Sequence, residues 1–86
     1  MKAIHKLKIG SEFFKAVKDG RKKFEIRKND RAFHEGDILV LEEYDPINQQ
    51  YLGGVIKVEV TYMTDWEQKD DNVVLGIEEI WEFIKC

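Results

Sequence analysis

Residues Val55–Met63 alternate with a period of two. Ile56, Val58, Val60 and Tyr62 fall on one side, and Lys57, Glu59, Thr61 and Met63 on the other. Successive side chains of a strand point to opposite faces, so this pattern predicts a strand with one face buried. The chain has 86 residues. A domain of that size buries only about 60–65% of the surface its unfolded chain exposes. It has room for one core and one shallow site, which excludes a large multi-substrate enzyme. The expectation is a single domain over residues 1–86.

The other elements are shorter. His5, Leu7 and Ile9 alternate with Lys6 and Lys8, which predicts a strand near residues 3–9. Gly10-Ser11 opens a helix near 11–19, with Ser11 placed to cap it and Glu12 at its positive end. Phe13, Phe14 and Val17 lie at helical spacing toward the core, and Asp19-Gly20 closes the helix. Residues 23–28 read as a strand with Phe24 and Ile26 on one face and Lys23, Glu25 and Arg27 on the other. Asn29-Asp30 and Gly36-Asp37 read as turns. Ile38–Tyr44 begins apolar on both faces and so reads as a central strand or one in a closed barrel. Asp45 to Gly54 reads as a loop with Gly53-Gly54 as its turn. Asp65–Asn72 reads as a polar connection, and Val73–Ile77 as a last buried strand ahead of a tail with no assigned form. Five strands, hairpin-sized connections and one early helix indicate an α+β, mainly β fold, a small barrel with the helix packed on it.

Composition narrows the function. The longest unbroken apolar run is Ile38–Leu41, too short for a membrane-spanning helix, and the opening residues carry no apolar stretch of the signal-peptide kind. A single cysteine, Cys86, permits no disulfide within the chain. Both features set the expectation of a cytoplasmic protein. Charge is unevenly distributed. Residues 1–31 hold 11 Lys/Arg against 4 Asp/Glu, a net of +7, and residues 32–86 hold 3 against 13, a net of −10. A basic end on an acidic protein is a footprint for an anionic partner, or a solvated surface whose two signs meet on folding.

Most catalytic kits are missing. His5 and His34 stand outside any metal-ligand spacing, so neither a metal nor a cofactor is expected. Gly53-Gly54 lacks the Lys-Ser/Thr of a phosphate-cradling loop. What remains is Gly20-Arg21-Lys22-Lys23-Phe24-Glu25-Ile26-Arg27-Lys28-Asn29-Asp30-Arg31, one carboxylate set among cations. An ionised Glu25 only accepts hydrogen bonds and suits the amino group of a cytosine or guanine. Arg27 offers a planar fork for a phosphate or a base edge, and Lys22, Lys28 and Arg31 add phosphate neutralisation. The competing reading is a ladder of surface ion pairs, each contributing about 0–1 kcal/mol.

These residues also carry a resemblance. His5–Ile9, Phe14–Gly20, Lys23–Arg31, Gly36–Leu39, Glu43–Asp45 and Val73–Ile77 resemble an ASCH domain of the PUA-like superfamily, of the small stand-alone bacterial and phage type. Its Gly-x-Lys-x-x-Glu-x-Arg signature falls here on Gly20, Lys22, Glu25 and Arg27. The resemblance implies a PUA-like β-barrel whose motif lines a cleft for RNA or a nucleotide-like ligand. A monomer is expected. The binding residues it points to are Lys8, Lys22, Lys23, Glu25, Arg27, Lys28 and Arg31. A related bacterial enzyme of the wider family hydrolyses N(4)-acetylcytidine and is similar in the Gly-Arg-Lys stretch. Its lysine falls on Lys22, but its threonine nucleophile falls on Glu25, and a carboxylate cannot replace that hydroxyl in the same acyl transfer. Binding is therefore the primary expectation. The alternative is a small amidohydrolase of a modified nucleoside, with Lys22 and Glu25 as candidate base and acid.

Overall fold

The computed structural model describes residues 2–80. Its elements, in chain order, are β1 (Ile4–Gly10), α1 (Ser11–Lys18), β2 (Phe24–Lys28), β3 (Ile38–Asp45), β4 (Gln50–Thr64) and β5 (Asn72–Glu79). They form one curled, mainly β half-barrel with a single short helix, the α+β class that the alternation indicates. The strand order is β1-β3-β4-β5-β2. β1 runs parallel to β3, and the other neighbouring pairs are antiparallel. The two edge strands, β1 and β2, are joined by α1 and are not paired with each other.

The concave face holds the core. Leu7 and Ile9 of β1, Leu39 and Leu41 of β3, Ile56, Val58 and Val60 of β4, and Val73, Leu75 and Ile77 of β5 are all buried. Phe14 and Val17 of α1 cover one end. Phe33, from the segment after β2, plugs the other and meets the His5 ring edge-on at 4.8 Å. There Asp37 is 2% exposed. Its carboxylate accepts hydrogen bonds from His5 Nε2 at 2.9 Å and from the amides of Ala3 and His34. Burial pushes its carboxyl up, but the His5 bond and the two amide bonds outweigh this and hold it below the ordinary carboxylate value.

Several expectations are revised. Ser11 does not cap the helix. Gly10 is the N-cap and makes no side-chain bond, and the Ser11 hydroxyl donates instead to Glu43 of β3. Phe13 is exposed, because an eight-residue helix lying on a sheet buries only a narrow stripe, here Phe14 and Val17. Residues 50–54 are not loop. β4 is 15 residues long, and its hairpin with β3 turns at 46–49. Between the pairs Glu42↔Val55 and Tyr44↔Tyr51, β4 carries extra residues, and Gly53-Gly54 lie in that irregularity. Gly53 takes φ +92°, and a Cβ on Gly54 would lie 2.6 Å from the Phe14 ring. The glycines mark a bulge and a close approach, not a turn.

Tyr62 is likewise exposed, although the period of two places it with Ile56, Val58 and Val60. A second bulge lies between Val60↔Ile77 and Tyr62↔Gly76. One extra residue reverses every following side chain, so Met63 packs on the core in place of Tyr62. The tail from 81 onward lies outside the described residues.

Candidate functional site

The site occupies the seam where the sheet fails to close. A cleft of about 480 Å³ opens between β1 and β2 under the first turns of α1. Lys8, Ile9 and Gly10 form one wall, and Phe24, Glu25, Ile26 and Arg27 the other. Phe13 and Lys22 close the end. Its volume falls within the range of small-ligand sites.

β2 presents its faces in the reverse of the usual sense. Glu25 is 4% exposed, whereas Phe24 and Ile26 are about half exposed. In a strand paired on both sides this inversion would be costly. Here β2 is an edge strand, and the buried carboxylate is matched by two cations. Lys22 Nζ bonds Glu25 Oε1, and Arg27 Nε donates to Glu25 Oε2 at 2.9 Å. Lys22 stands off the Glu25–Arg27 face in sequence. Entering just after the turn at Gly20, it swings back and also donates to the Phe24 carbonyl at 2.6 Å. Glu25 and Arg27 therefore pair inside a concave cleft and not on an open surface.

Two arginines span the seam. Arg27 Nη2 donates to the Lys8 carbonyl at 2.9 Å, and Arg31 Nη1 to the Lys6 carbonyl at 2.8 Å. Side chains thus take the place of a backbone ladder between the edge strands. Arg27 uses Nε and one Nη2 proton, which leaves its other guanidinium protons free. Lys22 keeps one ammonium proton after its two bonds, and Glu25 keeps lone pairs on both oxygens. The lining therefore offers free donors, a buried acceptor and aromatic faces within one concavity. Three cations (Lys8, Lys22 and Arg27) stand against one carboxylate. Lys22 Nζ also lies 4.9 Å from the Phe24 ring centroid and 5.8 Å from that of Phe13, so the ammonium sits between two aromatic faces.

Of the residues singled out from sequence, Lys8, Lys22, Glu25 and Arg27 meet in this cleft. Lys23 does not. It faces a separate concavity with Lys18, Thr61 and Glu78, while its carbonyl receives the Ile77 amide. Lys28 is exposed at the end of β2, and Arg31 serves the seam without lining the cleft. Sequence reasoning missed Phe13, Phe24 and Ile26 as the apolar walls. The available signal was the charged face of 23–28: if that face turns inward, Phe24 and Ile26 must turn outward.

Among the described residues, those lining the cleft carry no hydroxyl or thiol. Among the described residues no group of three His, Cys, Asp or Glu side chains converges as metal ligands do, and no helix is long and apolar enough to cross a membrane. A polar concavity of about 550 Å³ lies between the end of β4, the 65–71 connection and the start of β5, bounded by Asp65, Asp70, Asp71 and Asn29.

The fold and the cleft define a small curled-sheet protein with a charged, aromatic-flanked site at an open barrel seam. Residues 4–77 match the family described as Domain of unknown function (DUF3850), and the chain belongs to that family. It is also similar to an uncharacterized 12.9 kDa protein in the GpA 3' region of Escherichia phage P2. That similarity is 32% identity over 75 residues, covering 87% of this chain and 67% of that protein. The family match runs from the first residue of β1 into β5 and takes in every residue lining the cleft.

Proposed function

We propose that the protein binds RNA or a nucleotide-like ligand in the seam cleft. The observation that carries this reading is the buried Glu25, held between Lys22 and Arg27 with Phe13 and Phe24 beside it. A base has an amino-bearing edge that needs an acceptor and a flat face that needs a partner. Glu25 supplies the first, and the Phe24 and Phe13 rings the second. The free donors of Arg27 and Lys22, with the Lys8 ammonium at the rim, suit phosphate oxygens. The likeness of Gly20, Lys22, Glu25 and Arg27 to the ASCH signature supports the same reading, and the PUA-like assignment is part of this proposal. So are a monomeric state and a cytoplasmic location.

Fluorescence anisotropy with short single-stranded RNAs at two salt concentrations tests it. Log K falls with log salt by about 0.7 per contacted phosphate. Glu25→Gln keeps the shape but replaces the anion with a neutral amide. Binding of the base whose amino group Glu25 accepts then falls, while nonspecific binding rises. Arg27→Ala removes the fork and changes ligand preference. Absence of binding to any RNA at low salt, with all variants folded, refutes the reading. Turnover of acetylcytidine by the same preparation would instead favour the amidohydrolase, with Lys22 and Glu25 as its base and acid.

A further inference from the structure

The cleft does not end at its rim. Lys8 lines it and also reaches outward over the β3–β4 hairpin, where its Nζ lies 4.5 Å from the Tyr44 ring centroid and 5.7 Å from that of Tyr51. Tyr44 and Tyr51 are directly opposed across β3 and β4, and their rings meet edge-on at 5.1 Å. Tyr51 is about half exposed. Gly10, on the cleft wall, pairs with Tyr44 in register, so the aromatic pair adjoins the wall directly. One cation therefore stands between two aromatic places, the Phe24–Phe13 cleft on one side and Tyr51 on the other.

We propose that Tyr51, with Tyr44 behind it and Lys8 at the junction, is a second base-stacking subsite. The ligand is then a single-stranded oligonucleotide of at least two nucleotides, not a free nucleoside. This rests on the reading of the cleft as a nucleotide site. One base enters the cleft, the next phosphate meets Lys8, and the following base lies on the Tyr51 face. Stacking on aromatic side chains tolerates any base, and an ammonium between two such faces matches the alternation of base and phosphate along a strand. The neighbouring charges do not all favour this. Glu42 stands beside Lys8 in register on the outer face and repels a phosphate there. The Asp45 carboxylate is taken up by the amides of Ile47 and Asn48 and by the Asn48 side chain.

The test is titration calorimetry of the whole protein with nucleoside 5'-monophosphates and with single-stranded RNA tetranucleotides of the same base. Wild-type protein should bind the tetranucleotide more tightly. Tyr51→Ala should weaken the tetranucleotide about 5- to 150-fold, the worth of one stacked base, and leave the monophosphate unchanged. Tyr51→Phe should retain the tetranucleotide affinity, because the ring does the stacking. Glu42→Gln should strengthen the tetranucleotide by removing the repulsion beside Lys8. If the tetranucleotide binds no tighter than the monophosphate, or if Tyr51→Ala leaves it unchanged or weakens both ligands equally, the second subsite is refuted while the cleft reading stands. If neither ligand binds, both fall together. Tyr51 is exposed on a hairpin, so Tyr51→Ala should keep the wild-type circular dichroism spectrum.

Discussion

Gly54→Ala tests the seat of the helix that carries Phe13 to the cleft. A Cβ at residue 54 would sit 2.6 Å from Phe14 Cζ and from Glu43 Oε1, and 2.8 Å from Phe14 Cε1. Ordinary contact begins near 3.4 Å, so the ring must withdraw by roughly 0.8 Å. Phe14 is 5% exposed and packed in the core, so this withdrawal displaces neighbours. Overpacking of this kind costs about 1–3 kcal/mol. For a domain of this size each kcal/mol is worth about 4–8 °C, so the midpoint of thermal unfolding should fall by about 4–24 °C. Circular dichroism melts of four proteins check it: wild type, Gly54→Ala, Phe14→Leu and the double variant. Leucine lacks the two ring atoms that the new methyl would strike, leaving only the flexible Glu43 carboxylate to give way. The double variant should therefore be more stable than the two single losses predict, by a coupling of about 0.5–3 kcal/mol. A Gly54→Ala midpoint within about 2 °C of wild type, or strict additivity in the cycle, would show that the strand and helix do not approach this closely.

Two more outcomes follow from the fold. The carboxyl of Asp37 is held below its unfolded value, so its contribution to stability is present above the unfolded carboxylate pKa of about 3.9 and is lost as pH falls through the folded value. Urea unfolding between pH 6 and pH 2.5 should show this loss in wild type and a flatter profile in Asp37→Asn. The bulge at Val60/Tyr62 makes Tyr62→Ala nearly silent, within about 0.5 kcal/mol, whereas Leu75→Ala on the core face should cost about 2–5 kcal/mol. Equal losses in denaturant titrations would place Tyr62 inside and refute the reversal.

What the sequence made legible was whatever depends on local pattern. The alternation through Val60, the buried strand at Val73–Ile77, the stop at Asp19-Gly20 and the early helix all appear in the structure near their expected places. Cleft residues Lys22, Glu25 and Arg27 were legible because their charges stand out along one short stretch. Long-range geometry was not legible. Gly53-Gly54 signals a turn, and only the packing of Phe14 against Gly54 shows that a strand runs through it. Nothing local reports the extra residue at Thr61 that turns Tyr62 outward. Phe33 carries no periodic signal, being fixed by the hydrogen bond its backbone N–H donates to Asn29 Oδ1 at 2.9 Å and by its place over His5. Whether Phe24 or Glu25 faces inward depends on which strand lies next to β2, a fact of topology.

The strand order also has a consequence for the order of assembly. β3, β4 and β5 are successive antiparallel neighbours, so this meander forms from contacts close in sequence. β1 must reach β3 across the whole of α1 and β2, from Ile4 to Ile38, and β2 must find the far edge at β5. Such distant pairings carry the larger loop-closure cost and come late. Every residue lining the cleft belongs to the late segment, 8–27, so the site exists only once the amino-terminal arm has wrapped around a finished platform. The arm brings the basic charge and the platform the acidic charge, so mutual attraction favours that final docking. A ligand held between β1 and β2 would clamp both ends of the arm at once, tying occupancy of the site to completion of the fold.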